Sequence, residues 1–215
     1  MKFEIRILGI TIFLTLMVFL VLRPKYKPKE FSEHVKGLPN ATINVTIYGD
    51  FQCLRTRNFW NEILPKLEED YIKTGKIRLI YKHHPKTFFN YSLEAAEATE
   101  CAADQGKFWE YVELVFRRTS LICNEVGKGL GLSPNELKNY AKELGLDVKA
   151  FSACLDSRAM LPKIYADMRE LHEKGLRSSG IVFINNELIS GNKPYSEFKL
   201  KIEGILKNET TTSPK

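Results

Sequence analysis

Long apolar runs are scarce in this 215-residue chain. Apart from the 16 uncharged residues from Ile7 to Leu22 there is none, which excludes a polytopic membrane protein. Internal repeats are also absent, so a solenoid or propeller is excluded. With 44% hydrophobic and 27% charged residues the composition is neither that of a disordered nor of a collagen-like chain. A one-sided charge is missing as well, once its position is considered. The formal charge is +6, but residues 1–30 hold +4 of it, which leaves +2 for the remaining 185 residues. Nucleic acid is therefore not an expected partner. Cysteine is sparse, with four in all.

The apolar run is flanked by Arg6 on one side and by Arg23, Lys25, Lys27 and Lys29 on the other. As a helix it would reach about 24 Å, which snorkelling arginines extend towards the roughly 30 Å hydrocarbon core. No small-x-small cleavage site follows it, and no cysteine precedes Cys53 to accept a lipid. An uncleaved anchor fits these facts better than a cleaved signal segment, and both readings stay open. Charge alone would keep the following domain in the cytoplasm, because the C-terminal flank is the more basic. Four N-x-Ser/Thr triplets, at Asn40, Asn44, Asn90 and Asn208, and the cysteines point outside instead. The expected address is membrane-anchored with the domain outside the cytoplasm, or secreted if the segment is cleaved.

Residues 23–40 are rich in Lys and Pro and read as a spacer. Ile43, Val45 and Ile47 alternate in a strand that ends at the turn Tyr48-Gly49-Asp50. Trp60, Ile63, Leu64, Leu67 and Tyr71 recur at helical spacing just after Cys53, with Pro65 predicting a kink. Ile77 to Lys82 is a second strand, closed by His83-His84-Pro85. Such a βαβ unit brings both strand ends and the helix start to one edge of the sheet. Helices are then expected over about 92–174: Ala95 to Ala103, a stripe of Phe108, Val112, Val115 and Phe116, one opened by Pro134, and two around 148–155 and 157–174. Ile181 to Ile184 and Glu187 to Ile189 read as a hairpin turning at Asn185-Asn186. A last helix carries Tyr195, Phe198, Ile202 and Ile205 on one face, and 207–215 reads as a disordered tail.

This order, with Asp50-Phe-Gln-Cys53 at the first strand-to-helix turn, resembles the thioredoxin superfamily, and within it the DsbA-like disulfide oxidoreductases with a helical insertion. Four further segments resemble the family: Ala95-Ala-Glu-Ala-Thr-Glu-Cys101, Gln105-Gly-Lys-Phe-Trp-Glu-Tyr111, Phe151-Ser-Ala-Cys-Leu-Asp156 and Leu188-Ile-Ser-Gly191. The resemblance covers residues 41–206. It implies an α/β thioredoxin-like fold with an all-helical insertion, preceded here by the anchor or signal segment. It also implies no cofactor or metal, and protein clients bearing thiols or disulfides; a membrane redox partner is not identified by it.

A cysteine at a helix N-terminus meets unpaired N–H groups and the positive end of the helix dipole, both of which favour thiolate. Cys53 is therefore the candidate nucleophile. His83 and His84 share its sheet edge and can support the thiolate, although polar residues closing a strand are more often simply solvated. Two positions depart from the family. Its Cys-x-x-Cys is here Cys53-Leu54-Arg55-Thr56, so the resolving thiol is replaced by Thr56, whose hydroxyl can donate to the Cys53 sulfur but cannot exchange. Its cis-proline loop aligns with Ser178-Ser179-Gly180-Ile181, which predicts a trans loop with Gly180 in place of proline.

Three readings follow from these residues. One is disulfide exchange or isomerase-like shuffling by a single thiol; another is a redox-inactive module that binds clients or partners. The third, a metal site of Cys53, His83 and His84, lacks a recognisable ligand spacing. Within the resemblance, Cys101 and Cys154 are the expected structural disulfide. Cys123 is left unassigned, either free or paired with Cys53.

Overall fold

A computed structural model describes residues 26–28, 30–87, 90–119 and 131–212, with backbone alone for 209–212. The apolar run Ile7 to Leu22 and Cys123 lie outside them. Among the described residues no helix is long and apolar enough to cross a membrane.

Five strands, β1 (His34–Lys36), β2 (Ile43–Gly49), β3 (Ile77–His83), β4 (Ile181–Ile184) and β5 (Glu187–Ser190), form one sheet in the order β1-β3-β2-β4-β5. Only β2 and β3 are parallel; the other neighbours run antiparallel. Alternation in β2 sends Ile43, Val45 and Ile47 into the main core, where they meet Phe59, Leu67, Phe198 and Ile202. Each such side chain contributes about 1.5–3 kcal/mol by burial. Tyr48 faces the other way, against Leu171 and Ile181.

Between β2 and β3 runs a helical stretch, α1, over 54–72. It alternates α turns (Leu54–Asn58 and Leu64–Leu67) with π turns (Phe59–Ile63 and Glu68–Ile72). Pro65 cannot donate to the carbonyl four residues back, and the widened turn lies directly before it, where the sequence predicts a kink. The insertion holds α2 (Ser92–Ala103), α3 (Phe108–Arg118), α4 (Pro134–Glu143), α5 (Val148–Asp156) and α6 (Leu161–Glu173). Ser133 and Glu136 form a capping box at α4, and Asp147 caps α5 through the N–H groups of Lys149 and Ala150. The chain closes on the β4–β5 hairpin, with Asn185 at φ 52°, and on α7 (Tyr195–Thr212).

Three expectations need correction. Residues 34–36 do not belong to a free spacer: they pair with β3 from His34 opposite Tyr81 to Lys36 opposite Leu79. A three-residue strand is too short for alternation to show, and its register comes from the β3 edge. The sixth helix starts at Leu161, not at Ser157, because Arg158 takes φ 57° and Pro162 suits a first turn. The last helix runs on to Thr212 instead of ending at Lys207, since extending a helix costs far less than starting one.

Candidate active site

Cys53 stands where β2 gives way to α1. Its backbone is extended (φ −84°, ψ 125°), its carbonyl accepts the Arg57 N–H at 3.0 Å, and its side chain makes no capping bond. The thiol is half-buried and unbridged. The turn before it is organised by Asp50, a carboxylate that is 1% exposed. One of its oxygens accepts the Gln52 N–H at 2.9 Å and the Ser92 hydroxyl at 2.8 Å; the other accepts the Lys86 N–H at 2.8 Å. Burial pushes the Asp50 carboxyl up, and these three donors pull against that shift. Asp50 thus ties the turn, the loop after β3 and the start of α2 into one unit.

Thr56 is fully buried. Its Oγ1 accepts the Asp50 N–H at 3.2 Å, and among the described residues it makes no hydrogen bond to the Cys53 sulfur, contrary to the expected donation. A threonine at the resolving position therefore braces the turn. Opposite it lies the loop at Gly180, which has φ +69°, and no cis peptide occurs among the described residues. The Gly180 N–H donates to the Tyr48 carbonyl at 2.8 Å, and its own carbonyl accepts from Gly191. A Cβ at Gly180 would sit 2.4 Å from the Arg55 Cβ and 3.0 Å from the Thr56 nitrogen. Backbone of the two segments is thus in direct contact. Proline is excluded at this position, both by the positive φ and by the N–H it would remove.

His83 and His84 are not solvated ends of a strand. His83 is fully buried and points, with His34, at one oxygen of Glu100, each Nε2 at 2.8 Å. Burial works against the Glu100 carboxylate, but hydrogen bonds from both rings outweigh it and hold the carboxyl well below its usual range. His84 turns elsewhere, its Nε2 3.1 Å from the His172 Nε2 and its Nδ1 3.4 Å from the Ser179 hydroxyl. Burial, Lys86 and His172 push the His84 imidazole down to about 4. Ser179 donates to the His84 carbonyl at 2.6 Å, so this segment props the Gly180 loop. The two histidines thus enter separate clusters, and a shared metal site with Cys53 does not form.

Lys86, two residues beyond His84, carries charge within electrostatic reach of Cys53, Asp50 and Arg55; burial lowers its ammonium, while Asp50 and Cys53 support it. Between this site and the Glu100 cluster lies Tyr81, fully buried and, among the described residues, with no hydrogen-bond partner for its hydroxyl. Gly49 is required beside it: a Cβ there would lie 2.5 Å from the Tyr81 oxygen. Cys101 and Cys154 form a disulfide with Cα atoms 5.9 Å apart, joining α2 to α5. Sequence reasoning read Asp50 only as a turn and missed Lys86, Ser179 and His172. A carboxylate three residues before the reactive cysteine was the available signal; the other three depend on tertiary contacts.

A βαβ unit and a β-hairpin closed by a helix, split by a helical insertion and bearing a cysteine at the first strand-to-helix turn, define the thioredoxin fold in its DsbA-like form. The Thioredoxin family model matches residues 29–204, and the chain belongs to that family. Among solved structures, the oxidised BdbD of Bacillus subtilis superposes with a TM-score of 0.72 at 22% identity, covering 85% of this chain and 97% of its own. The α-DsbA1 of Wolbachia pipientis gives 0.68 at 24% identity, covering 82% and 92%. In sequence, the "Probable disulfide bond formation protein D" of Bacillus anthracis is 26% identical over 80% of this chain and 77% of its own length. The Na(+)/H(+) antiporter NhaA of Herminiimonas arsenicoxydans is 28% identical over 80% of this chain, which spans only 25% of that protein.

Proposed function

We propose that this domain is a thiol-disulfide exchange protein that works through the single thiol of Cys53, outside the cytoplasm and tethered by its N-terminal segment. One observation carries the reading: an unbridged, half-buried cysteine opens α1 of a thioredoxin fold, with its side chain free of any capping role. The name of the Bacillus anthracis relative, a disulfide bond formation protein, supports the reaction class. The Cys53 thiolate attacks one sulfur of a client disulfide, forming a mixed disulfide and releasing the other client sulfur as thiolate. A second client thiolate then attacks the mixed disulfide and restores Cys53. No net oxidation occurs, so no second active-site cysteine is needed, and clients are proteins with thiols or disulfides.

Thr56 favours a second reading, a redox-inactive client-binding module, because its hydroxyl is committed to the Asp50 backbone. The two readings separate in one assay on full-length protein. Shuffling of scrambled ribonuclease is expected to fall to the uncatalysed rate in Cys53→Ala. Equal rates for wild type and variant would leave the binding module.

A further inference from the structure

We propose that His34, His83 and Glu100 form a binding site for a zinc-class divalent cation, separate from Cys53. Three elements far apart in sequence deliver the ligands: His34 from β1, His83 from the end of β3 and Glu100 from α2. The two imidazole Nε2 atoms and a Glu100 oxygen lie within 4.8 Å of one another, and all three side chains are buried. Both rings are held in place before any ion arrives. His34 stacks on Phe108 with centroids 3.4 Å apart and planes 7° from parallel, and His83 meets Tyr81 edge-on at 5.3 Å.

Each nitrogen now stands 2.8 Å from the shared carboxylate oxygen. A tetrahedral ion with bonds near 2.0–2.2 Å needs ligand atoms about 3.3–3.6 Å apart, so each nitrogen must draw back from the carboxylate oxygen by about 0.5–0.8 Å, while the two nitrogens already lie within 4.8 Å of each other. Two nitrogens and one carboxylate suit zinc, cobalt or nickel better than calcium or magnesium, which take oxygen ligands. A cavity of about 210 Å³ borders His34 and Glu100 and is lined further by Glu30, Ser32 and Asp104. It supplies room for a water in the fourth position and acidic walls that attract a hydrated cation. Once Nε2 binds metal, His83 must carry its hydrogen on Nδ1, which faces no partner among the described residues. The affinity is accordingly expected to be weaker than that of a closed structural zinc site.

The test is a Co²⁺ titration of the full-length chain carrying Cys53→Ser and Cys123→Ser, so that no free thiolate can bind the ion. Ligand-field bands without sulfur-to-cobalt charge transfer are expected, saturating at one equivalent and displaced by Zn²⁺. Imidazole ¹⁵N signals of His34 and His83 should shift with the bands. Glu100→Gln and His34→Gln should each weaken binding by at least the ~10–100-fold lost with a supporting partner. His34 lies on an edge strand, so its variant decides the matter if Glu100→Gln fails to fold. Absence of the bands overturns the proposal. So does undiminished binding in the folded His34→Gln variant, or a loss that follows His84→Ala or His172→Ala instead.

Discussion

Among the described residues, cysteine occupies two contrasting regions of this domain. At Cys101 and Cys154 it is buried, paired and placed inside the helical insertion, closing a span of 53 residues. At Cys53 it is single, half-exposed and set on a turn whose neighbours are Asp50, Thr56 and the Gly180 loop. The residue is the same and the role is decided by surroundings. Where two helices bring sulfurs together the bond restrains the chain, and where a strand hands over to a helix the thiol is left available. Stability and reactivity should therefore be separable by mutation.

The sharpest separation is expected from Cys101→Ala/Cys154→Ala. Removing a crosslink across that span should lower the unfolding free energy by about 4 kcal/mol, read from urea melts, while the alkylation rate of Cys53 stays unchanged. A slower or faster Cys53 would mean that the two regions are coupled. Gly180→Ala attacks the other region. Its φ of +69° and the 2.4 Å approach to Arg55 should cost about 2–3 kcal/mol, and, unlike loss of the disulfide, should alter Cys53 reactivity. Thr56→Cys sharpens the contrast without touching the Gly180 backbone. It sacrifices the hydrogen bond from Asp50, worth about 1 kcal/mol, and should add insulin-reducing turnover by supplying a resolving thiol beside Cys53.

Acid titration offers the smallest and most local effects. His84 has its imidazole lowered in the fold from the ordinary 6.5 to about 4, so its contribution to stability is complete above pH 6.5 and is lost as the pH falls towards 4. His84→Gln should flatten that limb of the stability profile. Asp50 has the opposite sign. Its carboxyl is raised, so the stability it contributes is full below its unfolded value of about 3.8 and declines as the pH rises through the folded one. Asp50→Asn should remove this second slope, and both changes should leave the Cys101–Cys154 bond intact in mass analysis.

Local patterns were enough for the architecture. The alternation of Ile43, Val45 and Ile47, the helical spacing of Trp60 to Tyr71 and the Asn185 turn each rest on contacts between near neighbours, and they placed the βαβ unit and the hairpin correctly. The position of Cys53 was readable for the same reason, since standing at a strand-to-helix junction is a local property of the chain. What escaped depends on distant partners. Nothing in His83-His84 announces that one ring meets Glu100 and the other His172, because those residues come from different helices of the insertion. Nor does Ser178-Ser179-Gly180 reveal a bond from Gly180 to Tyr48. The strand β1 was hidden by its length, and its pairing is written in β3 as much as in its own residues.

That short strand has a mechanical consequence. Pairing over His34–Lys36 places β1 at the outer edge of the sheet, and among the described residues it is the first strand that a pull from the N-terminal side reaches. Such a load is carried by Tyr26 on Asp104, by a few edge hydrogen bonds, by Trp109 on the Val35 carbonyl, by His34 on Glu100 and by Lys36 on Glu68. Peeling β1 releases several residues of slack and leaves the four-stranded core and the Cys53 turn standing. Under tension the domain would lengthen before it lost its site, much as a seam gives before the cloth.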